Sequence, residues 1–545
     1  MKKLVSLILA MLMMLSLIPG SSASESKLSE ELLTYTALIP EDAHRKVEPK
    51  DMALYKDWEA KTNVHLEWTT VPIIALNERK STIFASGDYP DMFINMLSNT
   101  DVINYGMAGA LLDLTPYINE EYMPNFTKAL KEVPDAVSAI TMPDGKIYGL
   151  PQINMYSVWP GDGVYIRTSQ MINADWLSKL GLAMPQTTDE LLEVLRAFKT
   201  KDPNGNGIAD EIPYSFCYSQ GHANGMGDTV FGPFGILGHI GVAGAAVLPV
   251  SSLNVQNGKV FYAVEDERYV KAIQFARTLY EEGLMDPEVF TQDKARLTAK
   301  GNAETPVYGL VNGWTGEGEV GAARAGVDGT MYQPLPPVTG PDGECIWRNE
   351  PAGISVNGLC ISSTVKNPDV IIRWADLLYA PDATIQEIWG MEGMTTRKQE
   401  DGSWLKLPPA EGNNVEEWIR STSTRYLPGY LSDDMANHLF DLNANGAVSG
   451  KDSVLKCRIA AIYAPYAVKE YYPTLSVLSV EDTEEIALLN TPVMNAMREK
   501  EVAWIMGQSK IEDEYTAFLA NLRAMGLTRM VEIYQATYDR VSTSK

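Results

Sequence analysis

The chain is poor in the residues that most metal and redox chemistry needs. It has four cysteines in 545 residues, Cys217, Cys345, Cys360 and Cys457, and none stands in a CxxC pair. That spacing argues against a zinc site. In an exported chain Cys345 and Cys360 could close a short loop, but sequence alone gives no pairing. The five histidines, His44, His65, His222, His239 and His438, form no HExxH or related motif, so metal-dependent hydrolysis finds no support. Basic residues are few, 45 Lys and Arg against 70 Asp and Glu for a net charge of −25, and no Lys/Arg cluster occurs. Phosphate recognition needs such clusters, so a nucleic-acid partner is excluded. After the first 20 residues no apolar run is long enough to span a bilayer, which takes about 20 residues.

The one apolar run lies at the N-terminus. Lys2 and Lys3 precede fifteen nearly nonpolar residues, 4–18, then Pro19-Gly20 and the small residues 21–24. This predicts a cleaved export signal over 1–24. Loss of Lys2 and Lys3 leaves 43 basic against 70 acidic residues, a mature charge of −27. A length of 545 residues exceeds what one core usually spans, so two lobes or more are expected. Residues 32–39 read as a buried strand, a helix follows through Met52, Tyr55 and Trp58, and 64–68 alternates as a second strand. That β-α-β opening predicts an α/β protein with parallel pairing. Strand-like runs recur at 260–264 and 307–311, and a helix is expected over 188–199. Beyond Asn367 the pattern turns helical, with amphipathic stretches at 485–506 and 513–525 and Gly526 as a C-cap. No internal repeat or low-complexity linker occurs.

The run DPNGNGIADE at 202–211 places oxygen side chains at alternate positions between glycines. Calcium takes six to eight oxygens from such a loop. Asp202, Asn204, Asn206, Asp210 and Glu211 would supply side-chain oxygens and Ile208 its carbonyl. The start matches an EF-hand loop, but position 12 is Pro213 rather than a bidentate Glu, and 212–214 reads as extended. The expectation is a structural Ca²⁺ loop of another kind; a metal-free Asn/Gly turn is the plain alternative. A weaker copy begins at Asp441 and offers only Ser449 and Asp452 at the later positions.

The same loop, followed by Ile-Pro, resembles that of the large extracellular solute-binding proteins of ABC transporters, the group with alginate-oligosaccharide-binding members. Further landmarks follow in that family's order: LYKDWEAKTNVHLEW at 54–68, ASGDYPD at 85–91, LLDLTPY at 111–117, DGKIYGLP at 144–151, WLSKLGL at 176–182, GMEG at 390–393, and 519–538. The resemblance spans nearly the whole mature chain. It implies a two-lobe, type II periplasmic-binding-protein-like fold with a hinge and a cleft between lobes. Lobe 1 is expected at 25–155 and 305–375, and lobe 2 at 156–304 and 376–545. It further implies capture of an oligosaccharide for import, by a monomer that serves ABC permease subunits and catalyses nothing. Many members carry a lipobox cysteine after the apolar run; here PGSS stands there. Export to the periplasm or medium without a lipid anchor is therefore expected.

Sugars present C–H faces and rims of hydroxyls, so aromatic platforms and planar polar groups are the candidates. Trp314, Trp159 with Tyr156, and Trp389 are the aromatic candidates; Arg167, Glu392, Asn95 and Ser98 are the polar ones. Asp88 and Asp91 read as turn-fixing residues. Two enzyme motifs occur formally. Gly316-x-Gly318-x-x-Gly321 carries Glu317 and Glu319, which would repel a pyrophosphate. Ser363-x-x-Lys366 lacks its SDN and KTG partners. A peptide or other polar solute, a secreted carbohydrate-active hydrolase or lyase, and a surface adhesin without a transporter stay open as alternatives.

Overall fold

The structure is a computed structural model and describes residues 27–42, 44–155, 158–159, 164–166, 168–218, 227–238, 253–325, 330–349, 353–409, 415–442, 448–449, 452–473 and 478–542. The expected export signal, Tyr156 and Arg167 lie outside the described residues.

Strand β1 (Leu33–Pro40) leads into helix α1 (Ala53–Thr62), which stops at Asn63 in the left-handed conformation. The Asn63 amide donates to the carbonyls of Ser29 and Glu30, which fixes the turn. Strand β2 (Val64–Val71) then pairs parallel to β1 along its whole length. Helix α2 (Leu76–Ser86) ends at Gly87, whose φ of 74° suits glycine. Strand β3 (Met92–Ile94) adds parallel to the other side of β1. Asp91 secures it, accepting from the Thr36 N–H and hydroxyl at 2.8 and 2.9 Å. Helix α3 (Asn99–Met107) and strand β4 (Gly149–Asn154) complete this part.

The chain then enters a second sheet. Strand β5 (Ser169–Asn173), helix α4 (Thr188–Thr200), strand β6 (Ile212–Ser215), strand β7 (Tyr308–Gly313) and strand β8 (Tyr332–Pro334) follow in order. A Thr187–Glu190 capping box starts α4. The sheet order is β8-β5-β7-β6, with β7 parallel to β6 and antiparallel to β5. Strand β9 (Gly353–Ile361) returns to the first sheet, antiparallel to both β3 and β4. Helices α5 (Pro368–Leu377) and α6 (Pro381–Trp389) follow, and strand β10 (Gly429–Leu431) joins parallel to β4. The first sheet therefore reads β10-β4-β9-β3-β1-β2. Helix α7 (Asp452–Tyr463) and helices α8 (Val480–Ile505), α9 (Ile511–Ala524) and α10 (Leu527–Ser542) close the chain.

Two main cores correspond to the two sheets. Ile39, Leu54, Ile94, Phe126, Leu150 and Ile372 belong to the first; Trp176, Phe198, Tyr214, Leu310, Trp504 and Met530 belong to the second. The fold is thus α/β with two sheet-based lobes, joined by crossings after β4, between β8 and β9, and after β10. The lobe boundaries differ from those expected. Residues 308–334 run in the second sheet, not the first; Leu378, Tyr379 and Leu427 pack in the first core and 429–431 pair in the first sheet, while 396–398 and 404–406 run in a further small sheet with 439–442 and 448–449. The run YGLVNG of β7 is buried at every position. Such a strand carries no polar face to say which sheet it joins; only its hydrogen-bond partners decide.

Leu310 sits in the middle of β7, fully buried in the second core. Leu310→Ala is expected to destabilise that lobe by about 2–5 kcal/mol. Native-state hydrogen exchange would show lost protection in β5, β6 and β7 with the first sheet unchanged. Loss centred on β1 and β3 would refute this division.

Candidate ligand-binding site

In open α/β sheets ligands settle outside the carboxyl ends of the strands. In the first sheet that edge holds Asp42 after β1, Asn95 after β3, and Gln152 and Asn154 at the end of β4. The antiparallel strand β9 reaches the same edge through an irregular stretch between Ser355 and Leu359. The backbone is strained here. Asn95, Asn357 and Arg425 hold φ of 49°, 59° and 62°, left-handed values that cost a side-chain-bearing residue energy. Neighbours hold two of them: the Asn95 N–H donates to the Gly358 carbonyl, and the Asn357 amide donates to Asn99 Oδ1.

Beside this edge lies a cavity of ≈ 300 Å³ lined by Gln152, Asn154, Ile388, Arg420 and Arg425. Its wall is fastened from behind by Glu387, which is 1% exposed. Glu387 Oε1 accepts from the Thr424 hydroxyl at 2.8 Å and from the N–H groups of Tyr426 and Leu427 at 3.1 and 3.3 Å. Its Oε2 accepts from the Tyr55 hydroxyl at 2.9 Å. Burial pushes the Glu387 acid up to about 7, against the opposite pull of these hydrogen bonds. Arg420 Nη1 lies 2.9 Å from Asp42 Oδ2, which also accepts from the Tyr426 hydroxyl. Burial alone would raise the Asp42 acid; Tyr426, the His44 N–H, Arg420 and Arg45 together hold it below the ordinary carboxylate value. Sequence reading missed Gln152, Asn154, Arg420 and Arg425. The two arginines stand in a stretch without strand or helix periodicity, and the strand β10 that brings it to this edge has three residues.

In the second lobe, half-buried Trp314 directly follows β7. Buried Lys456 of α7 places Nζ 4.0 Å from the indole centroid and donates to the Trp314 carbonyl at 2.6 Å. The Tyr165 ring stands 6.0 Å away and the Ser169 hydroxyl also donates to the Trp314 carbonyl. Trp314 is thus an aromatic ring on a fixed base.

The other expected residues fare differently. Trp389 is 7% exposed and packs with Ile385, Trp404 and Leu439, so it is core and offers no platform. Glu392 is exposed in a turn, its N–H donating to Gln386 Oε1. Ser98 caps α3 in a reciprocal box with Asp101, so its hydroxyl serves the helix. Asn95 is exposed at the carboxyl edge. Trp159 lies in a short strand paired with Val164, and its side chain is outside the described residues. In the glycine run, Glu319 is buried and ion-pairs with Lys294, so an acid occupies the turn a phosphate would need.

The 202–211 loop lies between α4 and β6, at the amino end of β6 and so at the sheet edge opposite Trp314. Asp202 accepts from the N–H groups of Gly205, Asn206 and Gly207. The amides of Asn204 and Asn206 donate to the two oxygens of Asp210. Glu211 Oε1 is buried with no hydrogen-bond partner. Its acid is raised by burial first, with Asp202 and Asp210 adding to the rise. Among the described residues no three His, Cys, Asp or Glu side chains converge on a metal position. An orphaned carboxylate oxygen beside two further acids is nonetheless a donor set that a hard cation suits. Most of the Asp441 loop lies outside the described residues. Among the described residues no disulfide joins Cys345 to Cys360.

A family model of bacterial extracellular solute-binding proteins matches residues 44–385, and the chain belongs to that family. It is 30% identical over 539 residues to the fructooligosaccharide ABC transporter substrate-binding protein FusA of Streptococcus pneumoniae, covering 96% of this chain and 92% of FusA. The structure of FusA with kestose superposes with a TM-score of 0.75 at 28% identity, over 94% of this chain and 100% of FusA. A FusA EF-hand mutant superposes at 0.74 with 27% identity, over 94% and 100% of the two chains. The polygalacturonan/rhamnogalacturonan-binding protein YtcQ of Bacillus subtilis is 25% identical over 424 residues, 76% of this chain and 75% of YtcQ. These relationships establish the type II periplasmic-binding-protein-like fold. Among the described residues no helix is long and apolar enough to cross a membrane.

Glu387 ties stability to pH. Its folded acid, at about 7, lies above the ordinary 4.5. The stability it contributes is therefore full below about 4.5 and is lost as pH rises to about 7. Glu387→Gln should flatten that slope in urea midpoints measured from pH 4.5 to 7.5. A slope identical to that of the parent protein would rule this out.

Proposed function

We propose that this protein is an exported receptor that captures an oligosaccharide between its two lobes and presents it to an ABC permease. The observation that carries the reading is the similarity to FusA along nearly the whole chain of both proteins. The local chemistry agrees with it. Trp314 offers a braced ring for a sugar's C–H face, and the carboxyl edge of the first sheet offers planar amides and guanidiniums for its hydroxyls. Closure about the three crossings would let a ligand that touches both lobes select the closed state. The receptor acts as a monomer, released without a lipid anchor, and catalyses no chemical step.

Calcium has a structural place in this reading. Asp202, Asn204, Asn206, Asp210 and Glu211, with the Ile208 carbonyl, would hold it, and it would neutralise three clustered acids far from the ligand. Its role would be to fasten the loop.

Isothermal titration with kestose and a panel of neutral and acidic oligosaccharides tests the receptor. Binding without any loss of sugar on overnight incubation supports it; cleavage products would assign an enzyme instead. Trp314→Ala should weaken the bound sugar ~10-fold or more. An unchanged Kd would remove Trp314 from the site. For the loop, chelator should lower the melting temperature of the parent protein but not that of Glu211→Gln. Equal melting with calcium and with chelator in the parent would leave a metal-free turn.

A further inference from the structure

We infer that the outer edge of the first lobe carries a second carbohydrate contact, in which Trp58 of α1 and Trp68 of β2 receive the C–H face of a neutral, polyhydroxylated ring. This contact is separate from capture of a ligand between the lobes. No residue lines both this depression and the cavity beside Arg420.

The local sequence builds the platform. Tyr55 and Trp58 stand three residues apart on α1, hence on one helix face. Val64, Leu66 and Trp68 alternate on β2, the outermost strand of the first sheet, and so share one face of it. Where the two faces meet, the Tyr55 ring lies 5.5 Å from Trp58 and 5.0 Å from Trp68. Buried Trp374 of α5 lies 6.5 Å from Trp58. The Tyr55 hydroxyl is committed to Glu387 and Thr424, so the middle ring is fixed from the interior. Tyr55, Val64 and Leu66 are buried, yet Trp58 and Trp68 are only half-buried. Among the described residues neither of their indole N–H groups donates to a protein acceptor. Those of Trp347 and Trp504 do, to the Thr168 carbonyl and to Glu514. An indole that keeps its ring partly in water and its N–H unspent can both stack on a ligand and donate to it.

The rim selects the chemistry. Lys50, Lys56, Glu59 and His65 border the rings, and His65 Nδ1 lies 2.7 Å from Glu59 Oε2. An ion of either sign would meet a like charge here, and a purely apolar partner would strip water from all four polar groups. A neutral ring with hydroxyls answers both conditions. Its C–H face covers the indoles, while its hydroxyls donate to Glu59 and accept from the lysines. The depression itself has a volume of ≈ 20 Å³, room for one water-sized group. The ring therefore lies across the indoles and is not engulfed. Burying a single face gives weak binding, with a Kd on the order of 1 mM. Along a polymer with many equivalent rings such weak contacts gain avidity, so this edge suits retention of a polysaccharide at the receptor surface.

The test is ¹⁹F NMR of the mature protein with its 11 tryptophans replaced by 5-fluorotryptophan, the signals of interest being assigned with Trp58→Phe, Trp68→Phe and Trp314→Phe. Cellotriose, mannotriose, xylotriose and kestose are the titrants. At least one of them should move the Trp58 and Trp68 signals together, with a midpoint of about 1 mM that persists in Trp314→Ala. Trp58→Ala should weaken that midpoint ~10-fold or more, read at Trp68. If Trp58→Ala fails to fold, the parent protein and Trp314→Ala still decide. Trp58 and Trp68 signals that stay fixed with every sugar would overturn the inference, and a Trp314 signal that moves in the same titrations would leave the receptor reading standing. Signals that move only at the midpoint of Trp314, and fall silent in Trp314→Ala, would also overturn it, because they would report closure of the lobes.

Discussion

The buried carboxyl of Glu387 is the constraint on which this side of the molecule depends. One side chain on α6 gathers the Tyr55 hydroxyl of α1, the Thr424 hydroxyl, and the N–H groups of Tyr426 and Leu427. These elements are more than 300 residues apart along the chain at their extremes. Burying an acid is costly unless its oxygens are satisfied, and here both are engaged. The cost is partly relieved by a shift towards the protonated form near neutrality. What the arrangement secures is an irregular segment that would otherwise have little to order it. That segment leads into β10, places Arg420 against Asp42, and holds Arg425 in a strained backbone at the cavity wall.

The second lobe solves a different problem. Its aromatic candidate, Trp314, leaves the end of a fully buried strand, and the buried Lys456 of α7 and the Tyr165 ring brace it. A lysine ammonium against an indole face is favourable when water is excluded. The Trp314 ring is thus held by contacts of the lobe's own residues. The long C-terminal helices pack on the same core, through Trp504, Phe518 and Met530. The start of α8 also touches α3 of the first lobe. The oxygen-rich loop at 202–211 lies at the amino end of β6, the sheet edge opposite the end of β7 that carries Trp314.

Much of the fold was legible in the sequence because its signals are local. The alternation at 64–68, the helix expected over 188–199 and the Ile212-Pro213-Tyr214 extension each became the expected element. The candidate site was legible only in part. Trp314 follows a strand, as its position implied. Trp389 looked equivalent by the same reasoning but is core, because burial depends on what packs over a residue from elsewhere in the chain. Ser98 looked like a ligand group at a strand end, yet its hydroxyl is committed to capping α3.

By itself, the sequence determined the α/β class, the helical C-terminus, the family, and the alternation of oxygens and glycines at 202–211. The class, the helical C-terminus and the loop follow from spacing within about ten residues, where backbone geometry alone relates neighbours; the family came from the resemblance of landmarks in order along nearly the whole mature chain. Tertiary structure decided which sheet β7 and β10 join, and so where the lobes divide. It also decided which polar residues meet at the carboxyl edge. Both depend on hydrogen-bond partners far away in the chain. A three-residue strand or a uniformly apolar one pairs wherever an edge is open to it, and nothing in its own composition says where that edge will be.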